Sequence, residues 1–205
     1  MEFAEIVTGR RSVKNYDPSH AIHDDELKAI FERVILSPSS FNIQHWRFVV
    51  VRDPERKARL REAAWDQEQV EAASAAIVVV GKLDAHKDAP RIFAEAPASV
   101  RDRMVGMIDG FYAEKPQLQR DEAIRSASLA AMTLMYAAYE MGYATGPMIG
   151  FDPAAVSSLV GLDEHHIPVM LIVIGRKTGD MRPRAYRHPV NEVVRFESLT
   201  GPRLD

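Results

Sequence analysis

Five short stretches of this chain carry side chains able to grip a ligand. The first, "RRSVK", places Arg10, Arg11, Ser12 and Lys14 within five residues. Drawn out as a strand, residues 10–14 put Arg10, Ser12 and Lys14 on one face over about 13 Å, with Arg11 and Val13 on the other. A guanidinium fork suits a phosphate and an ammonium adds a point charge, so this face fits an elongated anion. Taken alone, such a cluster reads first as a solvated basic arm. The second stretch, "SPSSFNIQHW", holds Pro38, Ser39, Ser40, Asn42 and Gln44. The amides of Asn42 and Gln44 donate and accept together, as the edge of a heterocycle requires. The serines are also ordinary turn residues. Gln67 and Gln69 form the third, just ahead of an apolar run, where a solvent-facing helix end is an equal reading. "TGPMIGFD" sets Pro147, Met148 and Ile149 between Gly146 and Gly150. Those glycines let a backbone approach a flat ligand, or simply stop a helix. Last comes Arg187 in the polar stretch "YRHPVNEVV".

Other chemistries are excluded or left without support. The chain has no cysteine, so thiolate nucleophiles, disulfides and Cys-ligated zinc are out. "LDEHHIP" gathers Asp163, Glu164, His165 and His166, but adjacent histidines rarely chelate one ion and no third ligand stands at a usable spacing. We therefore expect no metal. No triad, nucleophile elbow, Walker loop or dinucleotide fingerprint is present, and no catalytic side chain is expected. Lys and Arg number 26 against 29 Asp and Glu, a balance of -3 that argues against nucleic acid as a partner. No apolar run approaches the roughly 18 residues of a membrane span, and the N-terminus lacks a secretory apolar core. A cytoplasmic protein without membrane contact is the expectation.

The elements that must position these stretches follow from periodicity. "FAEIVTG" reads as a short helix ended by Gly9. "HDDELKAIFERVILSP" reads as a helix with Asp24 as cap, apolar spacing at Leu27, Ile30, Phe31 and Val34, and Pro38 as its stop. "WRFVVVR" (46–52), "AAIVVVGK" (75–82) and "IPVMLIVIGRK" (167–177) read as strands, the second apolar on both sides and so covered on both faces. "DPERKARLREAAW" and "PAAVSSLVGL" read as helices. Residues 120–142 form the longest helix, apolar around most of its circumference and hence central. Residues 83–120, broken by prolines, read as a peripheral insertion. With 205 residues, 46% of them hydrophobic, one layered domain spanning 1–205 accommodates all of this.

The ordered set of stretches resembles one family, the FMN-dependent nitroreductases. "RRSVKNYDPS" is similar to that family's opening, "SPSSFNIQHWRFVVV" to its Ser-Ser-x-Asn-x-Gln segment, and "DQEQVEAASAAIVVVG" to the Asn-Gln-x-Gln-Val stretch of one branch. "GYATGPMIGFD" and "YRHPVNEVV" match its later segments. The resemblance spans residues 2 to 196 and is weakest over 83–120. It implies an α+β, layered nitroreductase-like fold, with a central mixed, mainly antiparallel sheet flanked by helices, in an intertwined homodimer. Arg10, Ser12 and Arg187 would hold the phosphate end of FMN, with Arg11 facing elsewhere or reaching only the phosphate rim, and Lys14, Gln67 and Gln69 would lie by the pyrimidine edge. Pro147, Met148, Ile149 and Gly150 would pass along the ring, while Pro38, Ser39, Ser40, Asn42 and Gln44 would approach it from the other subunit. NADH or NADPH would reduce the flavin, which would then reduce a small flat acceptor, a nitroaromatic or quinone, by a ping-pong mechanism. Phe111 and Tyr112 would stack on that acceptor from a lid formed by the insertion, and packing is an equal reading of both. The same scaffold also suits dehalogenation, dehydrogenation or flavin destruction, or FMN binding without turnover. Two residues depart from the pattern. His45 stands where Pro is common, and Asp66 where the branch often has Asn. An anion there disfavours a negatively charged ring unless it points away.

Overall fold

Strand β2 (Ala75–Lys82) is buried at every residue but its last, because it is apolar on both sides and both sides are covered. A computed structural model of the chain describes residues 1–204. In chain order its elements are α1 (Phe3–Gly9), α2 (Asp24–Val34), β1 (Trp46–Val51), α3 (Pro54–Ala63), α4 (Gln69–Ala72), β2, α5 (Ala89–Ile92), α6 (Ala98–Tyr112), α7 (Pro116–Glu140), β3 (Ala144–Met148), α8 (Pro153–Val160), β4 (His166–Gly175) and α9 (Val190–Val193). The sheet order is β1-β2-β4-β3, and every pairing is antiparallel. The mixed character expected of it reduces to one parallel bridge outside the strands, Ser12 to Thr145.

The two-residue period of β2 divides the core. Ala75, Ile77 and Val79 pack with the buried side of α7, from Ala127 to Ala138, and with Leu27, Ile30 and Val34 of α2. Ala76, Val78 and Val80 point the other way, against Leu60 of α3, Val70 of α4 and Val156 of α8. A fully buried Val or Ile of this kind contributes about 1.5–3 kcal/mol. The β2–β4 register shifts between Val79 and Val80, so that Val79 faces Met170 and Val80 faces Pro168. A bulge there lets the sheet accept a proline, which has no N–H for the ladder.

Several expected boundaries move. His23, not Asp24, is the cap residue of α2, which ends at Val34, four residues before Pro38. Helix α7 starts at Pro116 rather than 120, proline being well suited to a first turn. The glycine stretch after α7 begins as strand β3 and not as a simple helix stop, and its Thr145 pairs with Ile174. Residues 83–120 are largely helical. Ala85, Ala89, Ile108 and Tyr112 form a satellite core with Ile43 of the 38–44 loop.

Candidate cofactor site

The basic stretch is sewn onto the sheet edge. The Val13 N–H donates to Thr145 O at 3.0 Å, and the Asp17 N–H to Arg176 O at 2.9 Å. Gly146 permits this approach, since a Cβ there would lie 2.8 Å from Val13 O. The stretch is therefore held extended, but its two arginines differ. Arg11 turns back, and its Nη1 donates to Thr8 O, Gly9 O and Arg10 O at 2.6, 3.1 and 3.0 Å. Those carbonyls belong to the end of α1, where a helix leaves acceptors unpaired. Arg10 Nη1 is buried with no partner at all. A charged donor in that state is unfavourable until something accepts from it.

A cavity of about 220 Å³ adjoins it, lined by Arg10, Arg11, Ser12, Arg182, Arg184 and Arg187, among others, and by no carboxylate. Arg184 Nη2 is shared among Val7 O, Thr8 O and Arg10 O at 3.0, 2.9 and 3.2 Å. Lost hydration, and then the neighbouring Arg11, Arg187 and Arg10, draw its pKa below the usual arginine value. Arg182 and Arg184 were missed from sequence, although "RPRAYR" sets three arginines in six residues. Lys14 lies beyond Ser12, beside a smaller cavity of about 40 Å³ that Lys177 and Arg182 also line.

The middle stretches meet at the end of β3. Gln67 Nε2 donates to Gly150 O at 2.8 Å, and Gln69 Nε2 to Gln67 Oε1 at 3.0 Å. Pro147 and Met148 close β3, and Ile149 is 78% exposed just beyond it. Gly150 packs closely on Trp65: a Cβ there would lie 3.0 Å from the exposed ring, which would have to shift. Asp66 sits 3.7 Å from Arg61 Nε, so its charge is paired locally.

The 38–44 loop stands apart. Among the described residues, no hydrogen bond joins it to residues 10–14 or 147–150. Phe41, Asn42 and Gln44 have φ of 51°, 56° and 58°, the left-handed region, which costs a non-glycine residue roughly 1–2 kcal/mol. The Gln44 N–H donates to Ser39 Oγ at 2.9 Å. Tyr112 is 1% exposed and donates its hydroxyl to Ser40 Oγ at 2.7 Å, whereas Phe111 is 44% exposed. Phe111 therefore keeps an exposed face, while Tyr112 has none. His45 is also packed into the interior, its Nδ1 without a partner. Desolvation lowers its pKa to about 4 despite the pull of Glu122.

Comparison with known proteins accords with this geometry. The sequence model of the nitroreductase family matches residues 7–176. A Bacillus subtilis protein, MhqN, whose name assigns it as an NAD(P)H nitroreductase, is 41% identical over 95% of this chain and 98% of its own length. The DrgA protein of Synechocystis is 42% identical over 88% of this chain and 86% of its own. An Exiguobacterium sibiricum structure, described as a nitroreductase in complex with FMN, superposes with a TM-score of 0.89 at 35% identity, covering 96% of this chain and 98% of that one. With the family model covering most of the chain and these relatives matching it nearly end to end, the chain belongs to the nitroreductase family.

Proposed function

We propose that this chain is an FMN-dependent oxidoreductase that accepts hydride from NADH or NADPH and reduces a small flat acceptor of the nitroaromatic or quinone class by a ping-pong mechanism. The observation that carries the reading is the arginine cavity, with the buried, unpartnered Nη1 of Arg10 beside it. A phosphate dianion supplies the acceptors this donor set lacks, and arginine forks match its oxygens. FMN, when bound, supplies the hydride-accepting ring, and the protein supplies binding, orientation and electrostatics. Arg10, Ser12 and Arg187 hold the phosphate end. Lys14 sets a positive charge beside the pyrimidine edge. Gln67, fixed by its bond to Gly150 and by Gln69, orients that edge, and residues 147–150 pass along the ring. Asp66 is exposed and has Arg61 within 3.7 Å, so its charge is partly screened from the ring edge.

The 38–44 loop is assigned to the site of a second subunit in a homodimer. Its separation from the arginine wall supports this, as do exposed apolar side chains outside the core, among them Phe3 of α1, Leu36, Val193 and Leu199. Helices α5 and α6 of the 83–120 segment are assigned as the cover that selects the acceptor.

The test is the purified protein's visible absorption, followed by identification of the released cofactor and initial-rate kinetics with NADH, NADPH and a nitroaromatic or quinone. A flavin spectrum, released FMN and parallel double-reciprocal lines are expected. A colourless protein that takes up no FMN on soaking would overturn the reading.

A further inference from the structure

The proposed chemistry leaves one polar cluster without a task. Beneath the 38–44 loop, the Tyr112 ring lies between two histidines. His86 stacks on it with ring centres 6.0 Å apart and an interplanar angle of 24°, and His45 meets it edge-on at 5.9 Å. Phe41 meets the same ring at 6.2 Å and Phe111 at 5.0 Å. The Tyr112 hydroxyl leaves this stack to donate to Ser40 Oγ.

The loop above needs such support. Left-handed backbone at Phe41, Asn42 and Gln44 persists only where surroundings over-determine it. Most of its hydrogen bonds are local. Ser39 Oγ takes the Gln44 N–H, Gln44 Nε2 donates to Asn42 O, and Arg47 donates to Gln44 O. Tyr112 is the donor that reaches in from a distant part of the chain, 72 residues from Ser40. It is also the last residue of α6, so the tie links that helix directly to the strained loop.

We propose that Tyr112 is a positioning residue. Its hydroxyl fixes Ser40, and through Ser40 the left-handed backbone that follows, so the seating of α6 sets the loop that the functional reading places against the flavin. The proposal rests on that reading. It also gives Tyr112 a role distinct from stacking on an acceptor, which its burial prevents in this chain.

The experiment compares Tyr112→Phe, Ser40→Ala and the double variant, each purified and loaded with FMN. Tyr112→Phe keeps the ring and its packing and removes only the donor, so a packing role predicts no change. The positioning role predicts a three- to tenfold rise in the FMN dissociation constant and in the KM for a quinone such as para-benzoquinone, with kcat changed less than twofold. It also predicts that the double variant is no worse than the worse single one, because both substitutions remove one interaction. Wild-type FMN affinity and KM in Tyr112→Phe, with FMN bound normally by the parent, would overturn the positioning role alone. So would effects that multiply in the double variant. A parent that binds no FMN would overturn the functional reading and this proposal with it. If Tyr112→Phe does not fold, Ser40→Ala decides: a silent Ser40→Ala overturns the proposal.

Discussion

The arginine wall and the 38–44 loop are both polar, both lie outside the sheet and both belong to the proposed cofactor site, yet opposite physics holds them in place. The wall is an accumulation of like charge. Its guanidiniums line a cavity without an acid, Arg11 and Arg184 are spent on α1 carbonyls, and Arg10 keeps a buried donor unpaired. Its conformation is unstrained, and its cost is electrostatic. The loop carries almost no charge. Its cost is backbone strain at Phe41, Asn42 and Gln44, offset by hydrogen bonds and by rings packed beneath it. The first arrangement is completed by an anion from outside, the second by a neutral interior. The wall should therefore respond to salt and phosphate, and the loop to acid and to single hydroxyl groups.

Acid should act most strongly beside the loop. His45 is neutral in the folded chain, with a pKa lowered to about 4 by desolvation, while the unfolded chain takes up that proton near pH 6.5. Below pH 6.5 the unfolded state binds more protons, so stability falls as pH drops from 6.5 toward 4 and then levels. At about 1.4 kcal/mol per pH unit the loss reaches about 3 kcal/mol. Glu122, His86 and Arg47 are the other charges acting on this ring. Urea unfolding at pH 7, 6 and 5 should show the decline, and His45→Leu should reduce its slope, leaving the part due to His86, whose pKa burial also lowers. An equal slope in His45→Leu would remove His45 as its source.

On the wall, Arg10→Ala should weaken FMN binding ten- to a hundredfold. That equals about 1.4–2.8 kcal/mol, within the range for hydrogen bonds to charged groups. Arg11→Ala should cost less than threefold, because Arg11 already serves Thr8, Gly9 and Arg10. Equal losses would show that side-chain direction along this stretch does not divide the labour. Lys14→Ala should lower the potential of bound FMN by about 30 mV, the equivalent of about 1.4 kcal/mol for a two-electron couple. An unchanged potential with FMN bound would remove Lys14 from the ring edge. The smallest effect sharpens the loop side. Asn42→Ala should lower stability by about 0.5–1 kcal/mol, since asparagine tolerates φ of 56° better than alanine. No change in the urea midpoint would mean that the loop relaxes without cost.

The two regions also differ in how far the sequence revealed them. Arg10, Arg11, Ser12 and Lys14 were legible because charge and two-residue alternation are written in residue types. The strands were legible for the same reason, through the continuous apolar runs of β1, β2 and β4. Strand β3 was not, because Gly146 and Pro147 carry turn chemistry and are held in the sheet by pairing with β4 and the close approach of Val13. Arg182 and Arg184 escaped because a basic tail has no periodicity, and only the fold shows that Arg184 bonds the carbonyls of α1 and that both line the arginine cavity. Tyr112 was legible as an aromatic with packing and acceptor stacking as equal readings, and the structure buries it. Its position depends on Ile43, Ala85 and Ile108, which come from separate segments of the chain.

Titration of the flavin-free protein with FMN and with riboflavin asks whether the arginine cavity holds the phosphate end of FMN. At low salt FMN should bind at least a hundredfold tighter than riboflavin, and Arg10→Ala should cut that ratio at least tenfold while leaving riboflavin affinity nearly unchanged. Equal affinities for the two flavins, or a ratio untouched by Arg10→Ala, would contradict that placement.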